Sequence, residues 1–360
     1  MISMEKIDPN FSVPEEITEP DLIWVDVKNA PFALYGVFYD EENKQYQRLP
    51  SDVAEAANEG VVRLNRFTSG GRIRFRTDSS FLGIRVVQRN DKPARHMARS
   101  GQSGFDLYRK KEGDDRMHWY HTYKPSPAKK EGFSEAFHTD GAFAEYTFNF
   151  PLYDGVDALY IALKKDCRLE AAAPYTYEKP VLYYGSSITQ GGCASRPGNS
   201  YQGMLSVLLD TNFINLGFSG SGKGEQAMAE YIAGQEMSVF VMDYDHNAPT
   251  VEHLEATHLP FYRTVRAAQP DLPIILISAP DQGREHRQAP LRAVVRATYE
   301  TAVAEGDKHV YFIDGSSFFR QIDLWDCCTV DDSHPNDLGF YLMAKGIEKV
   351  LRPILEKENK

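Results

Sequence analysis

Four short stretches of this chain carry side chains suited to acyl transfer. Gly185-Ser186-Ser187-Ile188-Thr189-Gln190-Gly191-Gly192 offers a hydroxyl in a glycine-flanked turn, and Asn215-Leu216-Gly217-Phe218-Ser219-Gly220 offers an unobstructed backbone N–H at Gly220. Asp243-Tyr244-Asp245-His246-Asn247 brings a side-chain amide at Asn247, and Val330-Asp331-Asp332-Ser333-His334-Pro335 sets an aspartate three residues ahead of a histidine. Opening an ester needs a nucleophile, a base for its proton, a group that orients the base, and donors for the developing oxyanion. Ser187 fits the first role, His334 the second and Asp331 the third. The N–H of Ser187, the N–H of Gly220 and the amide of Asn247 are the candidate oxyanion donors.

These stretches have to be brought together by the elements that precede them. From residue 179 the chain alternates apolar strands with helical stretches. Strands are expected at 179–185, 213–218, 238–244, 273–278 and 310–313, with helices at 200–209, 225–233, 251–268, 284–305 and 338–356. Such alternation implies a parallel sheet covered by helices on both faces. Ligands of such sheets bind beyond the carboxyl ends of the strands, and three of the four stretches directly follow a strand. The fourth stands just ahead of the last helix.

The first half of the chain has a different period. Arg72-Ile73-Arg74-Phe75-Arg76 alternates polar and apolar residues, as do 142–150 and 157–163 more loosely, with turn signals such as Ser69-Gly70-Gly71 between them. Short two-fold runs without a long helical stripe predict an antiparallel sandwich. The break at Leu169-Glu170-Ala171-Ala172-Ala173-Pro174 divides the chain into an expected sandwich domain, 1–172, and an α/β domain, 173–360. A length of 360 residues also favours two domains over one.

On these residues the chain resembles the SGNH/GDSL hydrolase superfamily, in its carbohydrate-esterase-like branch. The family's four blocks occur in order, and Gly104-Phe105-Asp106-Leu107-Tyr108 is similar to the G-x-D-L-Y signature of the sandwich that precedes such esterases. The resemblance implies a flavodoxin-like three-layer α/β/α catalytic domain behind a jelly-roll-like sandwich. It also implies the Ser187–His334–Asp331 triad, the oxyanion donors named above, and no metal or organic cofactor. Asp332, two residues from His334, fits the family's DxxH spacing less well than Asp331. Two departures stand out: Ser186 replaces the aspartate of the GDSL block, and the usual GxND around the asparagine is missing, so Asn247 is placed only by its distance from the strand.

Composition narrows the partners. A net charge of −11 argues against nucleic acid or an anionic membrane surface. No run of 18 apolar residues offers a membrane helix. The start Met1-Ile2-Ser3-Met4-Glu5-Lys6 lacks the apolar segment of an export signal, and the four cysteines form neither a disulfide framework nor a CxxC site, so a cytoplasmic location is expected.

Other motifs lead elsewhere and are set aside. Residues 217–224 approach the phosphate-cradling G-x-x-x-x-G-K-[ST] but end in Gly224, which has no hydroxyl for magnesium. His246, His253 and His258 do not share a helical face and are expected on a solvated surface rather than around a metal. Cys193 has no dedicated base and reads as structural, while the aromatic run 117–123 reads as a half-buried strand before it reads as a sugar platform. The resulting expectation is a serine esterase that removes acetyl groups from carbohydrate, with a small-molecule or oligosaccharide ester as its partner. An acyltransferase using the same triad, or a carbohydrate-binding protein with a vestigial one, are the alternatives.

Overall fold

The computed structural model describes residues 17–88, 93–125, 131–280 and 283–358. The N-terminal stretch considered for an export signal lies outside them. Five parallel strands form the central sheet, in spatial order Thr211–Gly217, Tyr177–Gly185, Val239–Asp243, Ile274–Ile277 and Val310–Ile313. The first strand in sequence therefore lies between the second and the third, and the crevice at their carboxyl ends is the topological switch point of the flavodoxin-like order. Each of the five expected strands and five expected helices is present, with ends shifted by at most two residues.

Helices cover both faces of the sheet because each shows it an apolar stripe. In Val251–Ala268 the buried residues Leu254, His258, Phe261, Tyr262 and Val265 recur every three or four positions, the spacing of one helical face. Thr250 caps this helix by accepting from the N–H of His253. On the opposite face, Phe340, Met343, Ala344, Ile347, Leu351 and Leu355 of Asp337–Glu358 are buried by the same period. No helix among the described residues is long and apolar enough to cross a membrane.

The first half forms two antiparallel sheets. One has the order Leu22–Asp26, Val156–Lys164, Phe81–Gln88 and Phe133–His138. The other runs Leu169–Glu170, Arg72–Thr77, Ala144–Asn149, Phe105–Lys111 and His118–Tyr123, with Ala33–Tyr35 also paired to Arg72–Thr77. Alternation places Ile73, Phe75, Leu107, Tyr146 and Phe148 in the core between them.

One part of this half departs from the sandwich pattern. Ser51–Ala57 and Glu59–Asn65 are helices, the second capped by Asn58, and Leu49, Ala54, Val61 and Leu64 pack into the core of the parallel sheet rather than into the sandwich. Buried arginines reinforce that contact. Arg48 donates to the carbonyls of Asn215 (3.2 Å), Gly217 (2.6 Å) and Leu64 (2.8 Å). Arg72 donates to the Phe213 carbonyl (3.1 Å) and to the Tyr175 hydroxyl (2.9 Å). Both thereby satisfy backbone acceptors around the second strand of the parallel sheet that would otherwise be buried unpaired.

Candidate active site

Gly185 ends strand Tyr177–Gly185, and the chain turns at once into the one-turn helix Ser187–Gln190. A side chain at Gly185 would strike Thr189 Oγ1 at 2.0 Å and the Asp243 carbonyl at 2.3 Å, so only glycine lets the turn close this tightly. Ser186 caps the turn: its hydroxyl accepts from the N–H of Ile188, and its own N–H is met by Thr189 Oγ1 at 3.1 Å. Ser187 takes the first helical position, where its N–H has no acceptor within the helix.

A carboxyl reaches this turn from another strand. Asp243, at the end of Val239–Asp243, is buried and accepts from Thr189 Oγ1 (3.0 Å) and Tyr201 Oη (2.9 Å), both at its Oδ2. Burial, with Asp245 nearby, pushes its carboxyl up to about 8. Asp245 is itself raised by burial to about 6 and accepts from the N–H of Ala279. Asp243 thus brings to the turn a carboxyl that Ser186 does not supply. An aspartate ending a buried strand was the signal available for it.

Ser187 Oγ lies 3.0 Å from His334 Nε2. The other ring nitrogen of His334 faces Asp331, at 3.0 Å from Oδ1 and 2.9 Å from Oδ2. Because Nδ1 meets only carboxylate oxygens there, it carries the proton, and Nε2 presents its lone pair to the serine. Asp331 also accepts from the backbone N–H groups of Ser333 (3.2 Å) and His334 (2.8 Å). Partial burial raises its carboxyl, but these bonds outweigh that effect and hold it below the ordinary carboxylate value. Asp332 points away, 3.7 Å from Arg284, with a left-handed backbone. Residues 147 positions apart therefore meet in one continuous chain of hydrogen bonds, Ser187 to His334 to Asp331.

Gly220 and Asn247 also come together, but not as two free donors. The N–H of Gly220 donates to Asn247 Oδ1 at 3.2 Å, and Asn247 Nδ2 donates to the carbonyls of Phe218 and Gly222, each at 2.9 Å. Both amide hydrogens of Asn247 are taken by loop carbonyls, so in this structure the residue clamps loop 218–222. Gly220 is left-handed (φ +65°), with nothing within 4 Å of where a Cβ would stand.

The sandwich reaches this site at several points that the sequence alone did not flag. Tyr153 donates to the Ser187 carbonyl at 3.1 Å, and Ser69 donates to the Gln190 carbonyl at 2.6 Å. The His96 ring lies against that of His334, 5.0 Å between centroids. Asp106, fully buried in the Gly104–Tyr108 motif, receives Arg196 Nη1 (2.8 Å), the N–H of Gly198 (2.9 Å) and Asn149 Nδ2 (2.8 Å). The motif therefore pins the loop that leads from the nucleophile turn into helix Tyr201–Leu209.

Of the three histidines expected on a solvated surface, His258 is buried, against Thr298 (2.8 Å), while the half-buried His253 faces the Lys223 carbonyl (2.8 Å) and the half-buried His246 lies between Ser333 Oγ (2.8 Å) and Gln288 (3.2 Å). Desolvation holds His258 near 3 and His246 near 4, so both are neutral. Each ring finds its own polar partner, which is why burial was tolerable. All four cysteines are free, and burial raises the Cys193 thiol to about 12, which keeps it un-ionised and unsuited to act as a nucleophile.

Comparison with known proteins finds relatives for both halves of the chain. Residues 178–352 match the GDSL-like lipase/acylhydrolase family, and residues 22–169 match the GxDLY family, described as the N-terminus of the SGNH-hydrolase type of esterase. A protein described as a GDSL-like lipase, from Bacteroides ovatus, shares 26% identity at a TM-score of 0.83, over 93% of this chain and 98% of that one. The salicylyl-acyltransferase SsfX3 of a tetracycline biosynthetic pathway shares 18% identity at a TM-score of 0.74, with the same coverage. An acetyl xylan esterase (Est2A) from Butyrivibrio proteoclasticus shares 13% identity at a TM-score of 0.57, over 93% and 99%. At such identities the last two show a common fold. Comparison with curated proteins gives no match.

Proposed function

The chain belongs to the GDSL-like lipase/acylhydrolase family, and from that premise we propose that it is a serine esterase that removes short acyl groups, acetyl first among them, from carbohydrate. The observation that carries the reading is the relay from Ser187 Oγ to His334 Nε2 (3.0 Å) and from His334 Nδ1 to Asp331 (2.9 Å). His334 takes the serine proton as Oγ attacks the ester carbonyl, then gives it to the departing sugar oxygen, which leaves as the free hydroxyl. Asp331 keeps the imidazole in the productive tautomer and stabilises the imidazolium. Water, activated by the same histidine, then releases the acid.

The developing oxyanion falls to the N–H of Ser187 and the N–H of Gly220, the latter exchanging its long bond to Asn247 for a charge-assisted one. Asn247 holds the loop in which Gly220 sits. Carbohydrate as the alcohol half rests on the likeness to carbohydrate esterases, which is a weaker warrant than the geometry of the triad.

The test is a panel of acetylated oligosaccharides incubated with the protein and with Ser187→Ala. Loss of the acetyl mass with the parent and not with the variant supports the reading. Retained mass with simple aryl acetates cleaved would keep the esterase and reject the sugar. An acyl product on an added alcohol, formed in preference to free acid, would instead assign a transferase.

A further inference from the structure

Among the described residues, one group of potential ligands converges on a common point: His96, Cys193 and His334 each offer an atom within 4.8 Å of the other two. They come from three separate places. His96 belongs to a segment of the sandwich half, Cys193 to the turn after the nucleophile helix, and His334 to the loop before the last helix. Cys193 is held in the left-handed region (φ +74°), uncommon for a residue with a side chain, and its thiol donates to the His96 carbonyl at 3.3 Å.

We propose that His96, Cys193 and His334 form a binding site for a thiophilic divalent transition-metal ion, Zn2+ being the type, whose occupancy switches the hydrolase off. Two imidazoles and a thiolate are the donors such an ion selects, and three protein ligands leave its fourth tetrahedral position to solvent. Tetrahedral bonds of about 2.0–2.3 Å set ligand atoms roughly 3.3–3.8 Å apart. A contraction of at most about 1.5 Å closes the site, and the exposed His96 can supply most of it.

His334 is already prepared as a ligand. Its Nδ1–H is directed to Asp331, so Nε2 carries the free lone pair, in the carboxylate–histidine–metal arrangement that fixes the ring and raises its basicity. Nε2 is also the atom that receives the Ser187 proton. One lone pair cannot serve both. On binding, sulfur–metal and nitrogen–metal bonds form, the Cys193 proton leaves to solvent, and no electron is transferred.

The inhibitory consequence rests on the triad reading, whereas the binding does not, and the experiment separates the two. The full chain is titrated with Co2+ as a spectroscopic stand-in, followed through visible tetrahedral bands and near-ultraviolet thiolate charge transfer. One ion per chain with a thiolate band is expected. Cys193→Ser should abolish that band, and His96→Ala should weaken binding by at least the about 10–100-fold typical of losing even an outer-sphere partner. Ser187→Ala, inert as an esterase, should bind as tightly as the parent or tighter. Zn2+ should then inhibit the parent reversibly with a chelator, and inhibit His96→Ala only at correspondingly higher concentration. Binding without a thiolate band, or binding unchanged in both ligand variants, overturns the site. A normal Co2+ spectrum in a protein that cleaves no ester leaves the site standing and removes the proposed function.

Discussion

Asp243→Asn tests whether the carboxyl that braces the nucleophile turn is the strained group the structure makes it. The folded protein holds this carboxyl up near 8 against an ordinary 3.8, because burial and the neighbouring Asp245 disfavour its charge. The folded state therefore binds the proton more tightly than the unfolded chain does, and stability falls as pH rises through the interval between the two values. Each pH unit in that interval removes about 1.4 kcal/mol. Asparagine carries no charge at any of these pH values. With its oxygen at the Oδ2 position it still accepts from both Thr189 and Tyr201. Between about pH 4.5 and about pH 7.5 the stability of the variant relative to the parent should rise by roughly 4 kcal/mol. Urea unfolding at both pH values, with Asp245 intact, reads this directly. A difference between variant and parent that does not change with pH would show that Asp243 is ionised without penalty, and would refute the argument.

Other outcomes follow from the same geometry. Asp331→Asn replaces the acceptor for Nδ1–H with a group that can favour the other tautomer, so kcat should fall by about 10³–10⁴ with little change in KM, measured on a soluble acetate ester. Asp106→Ala leaves the Gly198 N–H and Asn149 Nδ2 without their acceptor and Arg196 with Tyr108 alone, so it should destabilise the protein by about 2 kcal/mol, seen as a lower thermal midpoint. Arg48→Met removes the side-chain donor from the carbonyls of Asn215 and Gly217, while Leu64 keeps the N–H of Phe67, and should cost about 2 kcal/mol or more in the same assay.

What the sequence made legible is what local pattern encodes. The strand–helix alternation after residue 179 is written in buried apolar runs, and the Asp331–His334 spacing closes within a single loop, so both could be read without coordinates. The helices at 51–65 could not. They are only seven residues each, and their buried positions Val61 and Leu64 serve a core built from residues beyond 180, so their period carries no sign of their partner. His96 and Tyr153 reach the site only because the sandwich docks beside it. Asn247 lay at the right distance from its strand, but that distance does not say which way an amide faces, and in the structure its oxygen faces Gly220. His258 was misplaced for a related reason: a histidine with a threonine opposite it is a core residue, and the threonine comes from a helix forty positions later.

The relay itself is tested most directly by where a serine-directed phosphonate attaches. After brief exposure the parent protein should carry one adduct, located by peptide mass spectrometry on Ser187, and the labelling rate should collapse in His334→Ala while the fold is retained. An adduct on another residue, or labelling of Ser187 that proceeds equally fast without the imidazole, would contradict the account.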